Sequence, residues 1–130
     1  MLGVAERMIA HLHWADFEPL VDLMFARGGW QRVSMLGGTM ADVDLVVDHP
    51  TLGERASVQV KSSASQGILD AHISAFQRAK LHARTCFVCH SPKGALSIRD
   101  HRDVHLLTGA ALAEIAVKSG LFDWLMERSR

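Results

Sequence analysis

The sequence has little of what marks membrane, secreted or metal-scaffolded proteins. No apolar run comes near the roughly 20 residues that a membrane-spanning helix needs, so no membrane partner is expected. Two cysteines, Cys86 and Cys89, are too few for a disulfide framework, which points to a reducing, cytoplasmic setting. Residues 1–7 carry Glu6 and Arg7 where a secretion signal needs an apolar stretch. There is no internal repeat, low-complexity tract or linker. The formal net charge is zero, so no overall field draws the chain to a polyanion.

What is present fits one globular α/β unit. The chain has 130 residues, 48% of them apolar and 22% charged. That length supports a single domain over residues 1–130 with a core that needs no staples. Charge is unevenly spread. Residues 1–54 hold eight acids and three bases, whereas residues 55–102 hold eight bases and two acids. This split reads either as two solvated faces or as an acidic metal site beside a phosphate-binding surface.

Periodicity supplies the elements. Val4, Met8 and Leu12 recur every four residues and predict a short helix over residues 4–13, an N-terminal extension of the domain. A second helix is expected over residues 16–27, with Asp16 as N-cap, Pro19 in the first turn and Phe17, Val21, Met24 and Phe25 on one face. Strands are expected at residues 30–35, 43–48 and 56–62, with a Gly37-Gly38 turn and a hairpin connection at residues 49–53. A helix over residues 68–82 turns Leu69, Ile73, Phe76 and Ala79 inward and permits a parallel strand at residues 85–89. A turn at residues 91–94 leads to a strand at residues 104–107, then helices to Ser119 and over residues 121–128.

Two of these strands carry chemistry. Period two places Asp44 on one face with Asp42 and Asp48, and Gln59 with Lys61. If the strands form a hairpin, a carboxylate, an amide oxygen and an ammonium converge. Hard oxygen donors suit Mg²⁺ or Mn²⁺. A lysine beside such an ion can orient or deprotonate a water. The plain alternatives are a strand-end acid at Asp44, a polar edge at Gln59 and an aggregation-blocking charge at Lys61.

The order Asp16-Phe17-Glu18, Gly29-Trp30, Gly37-Gly38-Thr39, Asp42-Val43-Asp44-Leu45-Val46 and Val58-Gln59-Val60-Lys61-Ser62 resembles the PD-(D/E)xK nuclease superfamily. Within it, the Gln-x-Lys arrangement is similar to the Mrr-like restriction endonucleases. The tail, with Val104-His105-Leu106-Leu107 and Gly120-Leu121-Phe122-Asp123-Trp124-Leu125, fits the end of such domains. The resemblance spans roughly residues 15–126. It implies a restriction-endonuclease-like three-layer fold, with a central mixed sheet flanked by helices. It also implies an endonuclease that hydrolyses DNA phosphodiester bonds with Mg²⁺ or Mn²⁺ and serves in restriction or defence. Carried over, Asp44 and Gln59 become metal ligands with the Val60 backbone carbonyl. Lys61 becomes the catalytic lysine, Glu18 an added acid from the helix, and Asp42 a reserve ligand. Glu18 also has a plain reading, as an acid favoured by the helix dipole.

Candidate DNA contacts are Ser62, Ser63, Arg78 and Lys80. A homodimer that cuts both strands and a separate specificity subunit are further partners the resemblance brings, and residues 121–125 read either as a dimer face or as packing within the chain. The competing function is a catalytically silent module of the same fold that holds DNA or a protein partner. A third reading builds zinc or redox chemistry on Cys86, Cys89, His90, His101 and His105. It runs against geometry, because residues three apart on a strand point to opposite faces. Trp30 and Trp124 are expected in the core or an interface rather than as stacking platforms.

Overall fold

The computed structural model describes residues 2–38, 42–79, 81–99 and 101–129, with backbone alone for residues 34–38 and 42–44. In chain order these form α1 (Leu2–Ala10), α2 (Trp14–Arg27), β1 (Gln31–Gly38), β2 (Asp42–His49), β3 (Glu54–Ala64), α3 (Gln66–Ala79), β4 (Arg84–Pro92), β5 (Val104–Leu107), α4 (Gly109–Lys118) and α5 (Phe122–Arg128). The strands make one mixed sheet in the order β1-β2-β3-β4-β5. β1, β2 and β3 are antiparallel neighbours, and β4 and β5 join in parallel. This is the expected α/β fold of the restriction-endonuclease-like type, with helices on both faces of a mixed sheet.

Two apolar clusters fix the layers. On one face Ala56, Val58 and Val60 of β3 and Val88 of β4 pack with Ile9, Phe17, Leu20, Val21, Leu112, Ala116, Leu121 and Leu125. On the other, Phe87 and Cys89 of β4 pack with Leu69 and Ile73 of α3. Alternation along β4 accounts for the division, since neighbours on a strand face opposite ways. The described residues between β4 and β5 form no helix, and Leu96 and Ile98 among them join the α3-side cluster. The larger cluster buries many full side chains, and truncating one such as Phe17 would cost about 3–5 kcal/mol.

Several local expectations shift. α2 starts two residues earlier than predicted, because His13 rather than Asp16 is the N-cap: its side chain accepts from the Ala15 amide. Pro19 therefore lies inside the helix, beyond the first turn, and has no N–H for the Ala15 carbonyl. In α1 the buried face is Ala5 and Ile9, continued by Leu12, whereas Val4 is exposed. Gly37 and Gly38 extend β1 instead of turning it, and β4 runs on to Pro92. α3 ends at Ala79, which is exposed, and Leu81 and His82 are not helical.

Glycine ends α2 at its junction with β1. Gly28 caps α2 and Gly29 adopts φ 93°. A Cβ at Gly29 would stand 2.7 Å from His49 Nε2, so the close ring leaves no room for a side chain. His49 Nε2 in turn bonds the Gly28 carbonyl at 3.2 Å, and its ring meets Trp30 edge-on. This ties the start of β1 to the β2–β3 hairpin end and defines that end of the sheet.

Candidate active site

The pairing of β2 with β3 sets the candidate residues side by side. Asp44 is the direct partner of Gln59, and Asp42 of Lys61, in an antiparallel ladder. Directly opposed residues share a face, with Cβ atoms about 4.5–5.5 Å apart. Alternation puts Asp42 and Asp44 on one face of β2, and Gln59 and Lys61 on the matching face of β3. The four positions therefore form a compact patch on the α3 side of the sheet, toward the end where β3 runs into α3. The side chains of Asp42 and Asp44 lie outside the described residues.

Lys61 is half-buried, and its charge is felt by two neighbours. Burial chiefly holds the His72 imidazole below its ordinary range, and the Lys61 ammonium adds to that. Burial also raises the Cys89 thiol, while backbone hydrogen bonds and Lys61 oppose the rise. Both groups lie on the α3 side, so the ammonium acts there. Val60, between Gln59 and Lys61, is fully buried toward the opposite face and pairs with Val43 and Val88. Its carbonyl lies in the plane of the sheet.

The remaining candidates are distributed along the fold. Glu18 is half-buried in α2, which covers the opposite face of the sheet but begins at the Lys61 end. That end is marked by Phe17, whose ring meets His90 edge-on at 4.7 Å, one residue past the register partner of Lys61, Cys89. Ser62 and Ser63 follow Lys61 directly, and Ser63 pairs with Ser91. Arg78 is in the last turn of α3. Twelve residues of helix from Gln66 amount to roughly 18 Å, which carries Arg78 toward the hairpin end of the sheet. Lys80 lies outside the described residues.

A polar network unmarked by any motif runs beside the patch. Ser57, two residues before Gln59, donates to Thr85 Oγ1 at 2.7 Å, and His72 Nε2 meets the same oxygen at 2.8 Å. Thr85 is fully buried. A cleft of about 240 Å³ opens between α3 and the sheet here, lined by Gln59, Ser57, His72, Phe76 and His82 among others. The sequence held one signal for His72: it lies three residues after Leu69 and next to Ile73, on the apolar side of the predicted helix.

Residues 9–116 match the family model Mrr_cat, described as restriction endonuclease. The chain belongs to the restriction endonuclease family. No curated protein and no solved structure matches it. A restriction endonuclease domain is a nuclease, with DNA as its substrate. The matched stretch of this restriction endonuclease domain contains Glu18, Asp44, Gln59 and Lys61. Most of α1 and all of α5 fall outside it.

Restriction endonucleases of this type usually need divalent metal ions. The donor chemistry of the patch fits one. An acid position faces an amide across the ladder, so the donors are hard oxygens of the kind Mg²⁺ and Mn²⁺ prefer. Among the described residues no group of three or more His, Cys, Asp or Glu side chains is arranged to hold a metal.

The cysteine-based alternative is taken apart by the strand. Cys86 packs with the larger cluster and Cys89 with the α3-side one, on opposite faces. His90 bonds the Leu12 carbonyl, His101 meets Gln77 and His105 meets Arg84. Burial pushes the Cys86 thiol up to about 11, against a small opposing pull from Arg84, so it is not a ready thiolate. Leu121 and Leu125, open in sequence to a dimer face or to packing within the chain, are fully buried within the chain. Trp30 and Trp124 sit half-buried against the same core. No helix among the described residues is long and apolar enough to cross a membrane.

Proposed function

We propose that the chain is a divalent-metal-dependent DNA endonuclease acting through Asp44, Gln59 and Lys61. The observation that carries this reading is the register in which Asp44 pairs with Gln59 and Asp42 with Lys61. Asp44 and the Gln59 amide oxygen would hold Mg²⁺ or Mn²⁺, with the Val60 carbonyl as a further donor and Asp42 or Glu18 supplying extra negative charge. The ion, when bound, supplies Lewis acidity toward a phosphoryl oxygen and an attacking water. Lys61 would orient that water as the ammonium, or take its proton as the neutral amine. Its half-burial beside Cys89 and His72 keeps the ammonium fixed rather than solvent-borne. Ser62 and Ser63, at the same end of the sheet, would supply phosphate contacts in this reading.

In this reading residues 1–130 act as one domain in the cytoplasm, in restriction or defence. Cutting both strands would take two copies, or a further subunit that brings specificity.

The test is direct. Purified chain is incubated with supercoiled plasmid and Mg²⁺ or Mn²⁺, beside the Asp44→Ala and Lys61→Ala variants. Nicked or linear product that disappears in both variants is expected. No cleavage with either ion, or cleavage that survives both substitutions, rejects the reading. Metal-independent DNA binding without cleavage would instead favour a silent binding module.

A further inference from the structure

α1, α2 and α5 meet at the Lys61 end of the sheet around a polar cleft of about 420 Å³. Arg7 and His11 enter it from α1 and the turn after it, His13 and Asp16 from the start of α2, and Arg128 from α5. Four nitrogen-bearing groups thus face one carboxylate. That carboxylate is already engaged, since Arg128 Nε lies 3.7 Å from Asp16 Oδ1. Arg128 is also held over the Trp124 ring at 4.9 Å, so its position is fixed before any ligand arrives. His13 Nδ1 accepts from the Ala15 amide at 3.0 Å, which leaves Nε2 as the nitrogen that donates. His11 Nδ1 donates to the Arg7 carbonyl at 2.9 Å. The cleft opens beside the start of a 14-residue helix, whose dipole favours an anion there.

We infer that this cleft binds a backbone phosphate of the nucleic acid that reaches the Asp44–Gln59–Lys61 patch. A short chain of contacts links the two. Leu12, in the cleft wall, gives its carbonyl to His90 Nε2 at 2.7 Å. His90 follows Cys89, and Cys89 pairs with Lys61 across strands about 4.8 Å apart. The cleft and Lys61 therefore stand at the same end of the sheet but on opposite faces, and a nucleic-acid strand that meets both passes around that end. The basic segment near Arg78 points to the other end of the sheet and does not serve this role. Arg7 and Arg128 lie outside the matched family stretch, whereas His11, His13 and Asp16 lie within it.

The inference rests on the nuclease reading for its ligand but is tested without cleavage. Binding of a fluorescein-labelled 20-base-pair duplex is followed by anisotropy in EDTA over a range of KCl. Wild type is compared with Arg7→Gln, Arg128→Gln, the double variant, and Lys118→Gln as a charge control on α4. The double variant is expected to bind about tenfold more weakly, with the slope of log Kd against log salt reduced by about one, for the one phosphate lost. Lys118→Gln is expected to match wild type. If Arg128→Gln melts early through loss of its Asp16 and Trp124 contacts, Arg7→Gln alone must weaken binding and lower the slope relative to wild type. A double variant with the wild-type Kd and slope overturns the inference. So does a wild type that ignores the duplex while inorganic phosphate shifts the Ala15 and Asp16 amides in NMR, which would make this a free-anion site. Arginine-dependent binding in a chain that cuts no plasmid leaves the cleft standing and removes the nuclease reading alone.

Discussion

Asp44 and Gln59 are direct partners across the antiparallel β2–β3 ladder, so an acid and a neutral amide occupy what would be a two-carboxylate pair. In the proposed reading, the pairing lets a Gln stand in a metal site without abolishing it. The amide oxygen remains a donor, while one negative charge is missing.

Gln59→Glu should restore that charge. Two carboxylates directly opposed across a ladder repel, so the variant should melt earlier than wild type without metal, by about 0.2–1 kcal/mol. Adding Mn²⁺ should reverse the order, and half-maximal plasmid cleavage should need several-fold less metal. Melting curves with and without Mn²⁺, together with a metal titration of cleavage, check both halves. An unchanged metal requirement would remove Gln59 from the ligand set.

Lys61→Ala should lower cleavage by about 10²–10⁴-fold, the usual range for a positioned proton-transfer group. Combining it with Asp44→Ala should add little, because groups that act as a unit are not additive. A structural readout runs in parallel. Lys61 helps hold the His72 imidazole low, so the substitution should move the His72 titration upward in NMR. A His72 titration that stays put would mean that the Lys61 charge is not where the site requires it.

The sheet was legible because its strands advertise themselves. Val43, Leu45 and Val47, and likewise Val58 and Val60, alternate with polar residues, and the hairpin register follows from that alternation. Asp44, Gln59 and Lys61 were readable for the same reason. What escaped has one local source and otherwise depends on contacts distant in sequence. Asp16 looks like a cap, but a histidine upstream reaches the Ala15 amide first. Arg78 follows Lys61 in a basic segment, yet a helix that runs back along the sheet carries it away. Thr85 reads as an ordinary strand residue until β4 is laid beside β3 and α3, where its hydroxyl meets Ser57 and His72.

Thr85→Val tests how much that buried hydroxyl matters. The replacement keeps the shape but leaves Ser57 Oγ and His72 Nε2 without their shared partner. Stranding polar groups in this way costs about 1–3 kcal/mol. At an m-value of about 1–3 kcal/mol/M the urea midpoint should fall by roughly 1 M with the slope unchanged. A midpoint equal to wild type would show that water satisfies both groups equally well.

His72 should also give the chain a pH dependence near neutrality. Its ordinary value is 6.5, and burial with the Lys61 charge lowers it in the folded state. Below 6.5 the unfolded chain takes up a proton that the folded chain resists, so stability must fall as pH drops toward the folded value and level off beneath it. Asp48 works in a separate window. Its carboxyl, held below its ordinary 3.8 chiefly by the Arg55 hydrogen bond, loses its contribution only as pH falls through the acid range. Melting temperature recorded from pH 8 to pH 5 should therefore decline below about 6.5 in wild type. His72→Gln retains an amide that can bond Thr85 and cannot titrate, so its profile over the same range should be flatter. An equal decline in both proteins would assign the effect to another group.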